Sequence, residues 1–214
     1  MTRRDKYRDP SYFEKYISDQ TARIDKFKKV LEECGESEKL RVYRFLSDRY
    51  KDLISAQFSY NEELTEILKS FKEYAIYISE AGFSCYSEYI DFVSLQIILD
   101  IKDILIDVPQ EYNDDLAKIL NGYLKGSDFE LTGYLYESRY YSVFMDYCND
   151  KLTFADLMNY VSNKWYTLSM GFYWFNSHEK DQDVYTGYWC YVASAAIRVK
   201  GDQSKINEGY PYII

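Results

Sequence analysis

The sequence predicts an all-α fold, a multi-helix bundle of about eight helices in two packed sub-bundles. Only 3 Pro and 9 Gly occur in 214 residues, which is too little punctuation for a fold of strands and turns. Apolar residues also recur at spacings of three, four and seven, the pattern of amphipathic helices. Hydrophobic residues make up 47% of the chain, enough to bury a core and to argue against disorder.

Three long helices are predicted at the start of the chain. The first begins at Asp9, a capping residue, with Pro10 at the first helical position, and it ends before Gly35. The second runs from about residue 38 to 58, with an apolar face of Tyr, Leu and Ile. The third runs from about residue 62 to 81 and ends at a glycine.

The fourth helix is predicted over about residues 86 to 106 and is apolar on most of its surface, as expected for the central helix of a bundle. A fifth follows over about residues 111 to 124. The stretch GSDFELTG, residues 126–133, reads as a linker between two sub-bundles. The expected domains are therefore an N-terminal helical subdomain, 1–125, and a C-terminal one, 126–214.

The C-terminal part is predicted to contain three more helices. One covers about residues 134 to 148, and another opens at Thr153, where Asp156 completes a variant of the capping box, and continues to about Leu168. The polar, acidic run 174–187 reads as a loop. The last helix is expected to start at the G-Y-W of residues 187–189 and to end at a glycine.

The charge pattern favours a basic protein as the partner. Residues 1–60 carry 14 Lys/Arg against 11 Asp/Glu, whereas residues 61–214 carry 12 against 24. An acidic surface repels phosphate backbones, so no nucleic acid is expected as a ligand. The same surface attracts a basic protein. The most apolar stretch is interrupted by charges, so no membrane partner is expected either.

The residues needed for catalysis or for holding a cofactor are not found in a suitable pattern. His178 is the only histidine, it lies in an acidic loop-like run, and no G-x-S-x-G or Gly-rich phosphate loop occurs. The four cysteines are far apart, which excludes a zinc site by spacing and indicates free, mostly buried thiols. We expect no enzyme, no metal and no cofactor.

A set of aromatic and glycine motifs marks the C-terminal third. It consists of W-Y, W-x-x-x-H, G-Y-W before an alanine-rich helix, and Y-P-Y in the tail. These motifs resemble those of the PoNi-like immunity proteins of bacterial polymorphic toxin systems. The motif residues, which we expect to be structural, are Trp165, Tyr166, Trp174, His178, Gly187, Tyr188, Trp189 and Pro211. Two positions where relatives carry acids hold Val192 and Ile213, which predicts a more apolar end.

The resemblance implies a cytoplasmic antitoxin that binds a secreted bacterial toxin, a DNase in relatives, without turnover or cofactor. Trp189 is expected in the core, on one helix face with Ala193 and Ala196. Partner contacts are expected at exposed acidic and aromatic positions. The candidates are Glu179, Asp181, Asp183, Tyr185, Glu111, Asp114, Asp115, Asp128 and Glu130. A homodimer stays open, as does an alternative function, a small-molecule or nucleotide-binding regulator with tyrosines lining a pocket.

Overall fold

The computed structural model of the chain describes residues 8–104, 106, 108–168, 170, 175–176, 185, 189–206 and 213. Within these ranges every regular element is a helix, which confirms the predicted all-α, multi-helix bundle.

The first three helices lie where the apolar stripes predict them. They are α1 (Pro10–Glu33), α2 (Glu36–Tyr60) and α3 (Leu64–Ala81). The predicted start of α1 is confirmed, because the Asp9 carboxylate accepts a hydrogen bond from the backbone N–H of Tyr12 at 3.0 Å. Asn61, with φ of 63°, ends α2 in the left-handed conformation, and Gly82, with φ of 73°, ends α3.

The fourth helix, α4 (Tyr86–Ile98), is shorter than predicted. Asp100 adopts φ of 52°, and the N–H of Ile101 returns to the carbonyl of Gln96 at 2.9 Å, which closes the helix end. The Gln96 amide also donates to the carbonyl of Ile104 at 2.7 Å. The prediction to residue 106 was wrong because the apolar run continues past the helix end, where neither Gly nor Pro marks the stop.

The remaining helices are α5 (Asp115–Lys125), α6 (Ser138–Cys148), α7 (Phe154–Tyr160), α8 (Tyr166–Leu168) and α9 (Tyr191–Val199). A π-helical stretch, Val161–Trp165, joins α7 to α8, so the chain stays helical to Leu168 as predicted. The capping box at Thr153 is confirmed, since Asp156 and Thr153 each bond the other's backbone. Residues 127–132 have no regular structure, as expected of the GSDFELTG stretch.

The last helix begins later than predicted. Trp189 and Cys190 precede α9, whose first turn closes with the N–H of Ala193 bonded to the Cys190 carbonyl at 3.1 Å. Trp189 is buried but does not share a helix face with Ala193, which corrects the expected arrangement. The N-cap position of α9 is occupied by Cys190 and not by Ser, Thr, Asp or Asn, so the sequence does not mark where the helix starts.

The chain divides into two compact units. The first unit comprises residues 1–83 and 173–187, and in it α2 packs against both α1 and α3. The second comprises residues 84–172 and 188–214, and in it α4 packs against α9 and α5. The domain boundary predicted after residue 125 stays a prediction; it lies within the second unit, between α5 and α6.

The buried side chains follow the expected apolar stripes. Phe13, Leu46, Ile54, Phe71 and Ile78 are fully buried in the first unit. In α4, eleven of thirteen residues are buried, as expected of a central helix. Among the described residues, no helix is both long and apolar enough to cross a bilayer.

The four cysteines are free thiols. Cys190 is buried, Cys34 and Cys148 are half-buried, and Cys85 is exposed. The expectation of mostly buried thiols is therefore wrong, since only Cys190 is buried. Cys85 is exposed because it lies just before α4, where the chain is exposed.

Candidate interaction surface

Several of the predicted residues lie outside the described part of the chain. These are Glu179, Asp181 and Asp183 among the partner-binding candidates, and Trp174, His178, Gly187, Tyr188 and Pro211 among the motif residues. The structure therefore places the other six candidates: Tyr185, Glu111, Asp114, Asp115, Asp128 and Glu130.

Asp115, the first residue of α5, is buried and binds the segment that follows the helix. Its carboxylate accepts hydrogen bonds from the Thr132 backbone N–H at 2.9 Å, the Thr132 hydroxyl at 2.9 Å and the Gly133 N–H at 2.6 Å. The Lys118 ammonium lies 3.3 Å away. Burial alone would raise the pKa of Asp115, but these donors outweigh it and lower the pKa below its ordinary value.

Asp114 is the N-cap of α5 and is fully buried. One carboxylate oxygen accepts the N–H of Ala117 at 2.8 Å, and the other accepts the Tyr86 hydroxyl at 2.6 Å and the N–H of Tyr136 at 2.8 Å. Burial, together with the neighbouring carboxylate, raises the pKa of Tyr86. Asp114 therefore joins α4, α5 and the segment before α6.

These contacts correct the assignment of Asp114 and Asp115 to a partner surface. Both carboxylates are buried with their acceptor sites filled, so a partner cannot reach them. The pair instead determines the path of residues 126–137, which we call the α5–α6 loop. Asp114 is a typical N-cap residue and could have marked the true start of α5 in the sequence. The helix was instead predicted to begin at Glu111, which placed Asp114 inside it.

The α5–α6 loop exposes both apolar and acidic side chains. Its exposed apolar side chains are Phe129, Leu131 and Tyr134, which are 43%, 42% and 52% exposed. Asp128 precedes Phe129, Glu130 lies between Phe129 and Leu131, and both acids are exposed. The Phe129 ring lies over Gly122 of α5, where a Cβ would come within 2.4 Å of it. The absence of a side chain at Gly122 therefore allows the Phe129 ring to pack against α5.

The remaining acidic candidate, Glu111, is exposed in a short 3₁₀ turn, Gln110–Tyr112. It stays a candidate, with Asp128 and Glu130, for a surface that meets a partner.

Tyr185 is fully buried in the first unit, which corrects its assignment to a surface. The Tyr16 hydroxyl donates to the Tyr185 carbonyl at 3.0 Å and accepts from its N–H at 3.1 Å. The Tyr185 hydroxyl lies 2.7 Å from that of Ser59, and its ring packs edge-on against Phe13 with centroids 5.1 Å apart. Tyr185 therefore binds to both α1 and α2.

The other described motif residues have structural positions. Trp165 and Tyr166 are half-buried at the π-helical stretch, with ring centroids 6.3 Å apart, and Trp189 is buried. Val192 and Ile213 are both buried.

Several tyrosines of the second unit pack against one another. Tyr86 contacts the rings of Tyr112, Tyr136 and Tyr141 at centroid distances of 5.7, 4.9 and 5.1 Å. A cavity near Tyr89 encloses about 10 Å³, whereas sites for small molecules span roughly 300 Å³ or more. These tyrosines form a core rather than the lining of a ligand site. No group of His, Cys, Asp and Glu within the described ranges could hold a metal ion.

Comparison with known proteins gives a match to a family. Residues 112–213, the whole of α5 to α9 and the tail, match the family model of PoNe immunity proteins (PoNi), C-terminal. No curated protein and no solved structure matches the chain.

Proposed function

We propose that the chain is an immunity protein that binds and neutralises a cognate nuclease toxin, a DNase, because residues 112–213 match the PoNi C-terminal family model. The family match is the observation that carries this proposal. The chain works by protein–protein contact in the cytoplasm, without turnover and without a cofactor.

The distribution of charge supports binding to a nuclease. Residues 61–214 carry 24 acidic against 12 basic residues. A protein that binds DNA presents Lys and Arg to the phosphates, and an acidic surface of the inhibitor is complementary to such a face. Complementary charges accelerate the encounter and disfavour wrong partners.

The test is neutralisation of the toxin encoded by the neighbouring gene. We expect cells that express this toxin to survive only when the chain is co-expressed, and the purified chain to bind a catalytically inactivated form of the toxin. A non-cognate toxin of the same class serves as the control for specificity. If the chain neither binds nor neutralises its neighbour's toxin, the proposal fails for that pair.

A variant at His178 separates inhibition by binding from enzymatic action. Because binding needs no general base, His178→Ala should protect cells as well as the wild type does. Loss of protection by a variant that still binds the toxin would contradict the proposal and indicate a reaction.

A further inference from the structure

We propose that the α5–α6 loop docks on the basic, nucleic-acid-binding face of the toxin. This inference rests on the proposed function and adds to it the surface of the chain that makes the contact. The partner is defined by its chemistry: a face rich in Lys and Arg with an apolar recess.

The first argument is the exposed apolar area. Phe129 and Leu131 stand two residues apart, and Tyr134 follows, each with at least two fifths of its side chain in solvent. Asp128, Phe129, Glu130 and Leu131 are four consecutive exposed residues. Aromatic side chains on a surface are typical of interface hot spots, and grouped apolar exposure marks interaction sites.

The second argument is charge. Between Gly126 and Ser138 the sequence contains three acids, at 128, 130 and 137, and no Lys or Arg. Neither Asp128 nor Glu130 pairs with a cation anywhere in the described part of the chain. Both carboxylates are thus available to a basic partner, and they flank the apolar residues as a polar rim does.

The third argument is that the loop is ordered before binding. Asp115 binds the backbone at Thr132 and Gly133, Asp114 binds it at Tyr136, and the Phe129 ring rests on Gly122. The Lys118 ammonium adds a contact of 3.4 Å to the Glu130 carbonyl. Because the loop is already ordered when the protein folds, binding requires little further loss of conformational entropy.

The charge of the loop is tested with a pair of double variants. Asp128→Lys with Glu130→Lys should weaken binding to the inactivated toxin by about 100-fold, mainly through slower association. The matched control is Glu32→Lys with Glu33→Lys, which makes the same charge change at two exposed acids in the last turn of α1. We expect its affinity to stay within about two-fold of the wild type.

The apolar contact is tested with a pair of leucine variants. Leu131→Ala should weaken binding by about 10-fold, whereas Leu40→Ala, at a leucine 61% exposed on α2, should leave it unchanged. All variants are first compared with the wild type by circular dichroism and thermal melting. Hydrogen exchange of the wild-type complex is the measurement that depends on no variant: residues 126–137 should gain protection.

The face of the toxin is tested by competition. DNA duplex should be displaced from the inactivated toxin when the chain binds. Wild-type binding with unchanged affinity of the loop variants, or without protection of residues 126–137, would overturn the loop proposal and leave the proposed function standing. Simultaneous binding of DNA and chain would overturn the assignment to the nucleic-acid face. Absence of wild-type binding would overturn both proposals.

Discussion

Tyr185 and the α5–α6 loop are each held on helices, but by opposite kinds of contact. In the first unit, Tyr185 lies among the rings of Tyr12, Phe13 and Tyr16, and its polar atoms bond to neutral groups. In the second unit, the α5–α6 loop is held by the carboxylates of Asp114 and Asp115. The first contact is apolar and neutral, whereas the second is ionic and buried.

The contact of Tyr185 and the contact of the α5–α6 loop should respond to different perturbations. A buried aromatic ring contributes through area and packing, so its stabilisation changes little with pH. The carboxylate of Asp115, whose donors lower its pKa, stabilises the loop while it is ionised. The holding of the loop should therefore depend on pH, and that of Tyr185 should not.

The largest effect is expected for Tyr185→Ala. The ring is fully buried against Phe13, and removing a buried aromatic side chain costs about 3–5 kcal/mol. Urea denaturation measures the free energy of unfolding. Tyr134→Ala, at a tyrosine 52% exposed, is the control and should cost less than about 1 kcal/mol. Equal effects of the two variants would contradict the buried position of Tyr185.

Asp115→Ala should have the next largest effect, a loss of about 3 kcal/mol, because it leaves the N–H groups of Thr132 and Gly133 and the Lys118 ammonium without their shared acceptor. Glu111→Ala, at an exposed acid of the turn just before α5, should change stability by less than about 0.5 kcal/mol. A loss for Asp115→Ala as small as that of the control would show that the loop does not need the carboxylate.

The sequence predicted the first unit better than the second because the two are built differently. Helices α1 to α3 are long and amphipathic, and caps such as Asp9 mark their ends, so local patterns determine them. The end of α4 at Ile98 and the start of α9 at Tyr191 carry no Gly, Pro or cap in the sequence. These bounds depend on tertiary contacts, which periodicity does not detect.

The candidate site shows the same limit. Asp114, Asp115 and Tyr185 were predicted at the surface because acids and tyrosines usually keep contact with water. Their burial depends on partners far along the chain, such as Tyr16 for Tyr185 and Thr132 for Asp115. The sequence does not show which backbone N–H groups face each carboxylate. It therefore cannot distinguish the buried Asp115 from the exposed Asp128.

The dependence of stability on pH should differ between the buried aspartates of the two units. Burial raises the pKa of Asp52 in α2 to about 7, although Arg49 lies 3.0 Å away, whereas the donors around Asp115 lower its pKa below the ordinary 3.8. Between pH 4 and 7 the unfolded state has released the proton of Asp52 and the folded state has not, so stability falls as pH rises. For Asp115, stability is present above about pH 4 and is lost as pH falls below it.

The two opposite pH dependences are tested by measuring the free energy of unfolding from pH 3 to pH 8. Asp52→Asn should remove the fall in stability between pH 4 and pH 7, and Asp115→Asn should flatten the loss of stability at acid pH. The wild type gives the sum of both slopes. Identical pH profiles for wild type and Asp52→Asn would contradict the burial of an ionisable Asp52 in α2.

The smallest effects are expected when single hydroxyls are removed from the two contacts. Ser59 donates to the Ser55 carbonyl at 2.8 Å, so the Tyr185 hydroxyl is the donor to Ser59, a neutral bond worth about 1 kcal/mol. The Tyr86 hydroxyl donates to the Asp114 carboxylate at 2.6 Å, a charge-assisted bond worth about 2 kcal/mol. Tyr86→Phe should therefore destabilise the protein more than Tyr185→Phe in urea denaturation, since both variants keep the ring. The reverse order would contradict the division between a neutral and an ionic contact.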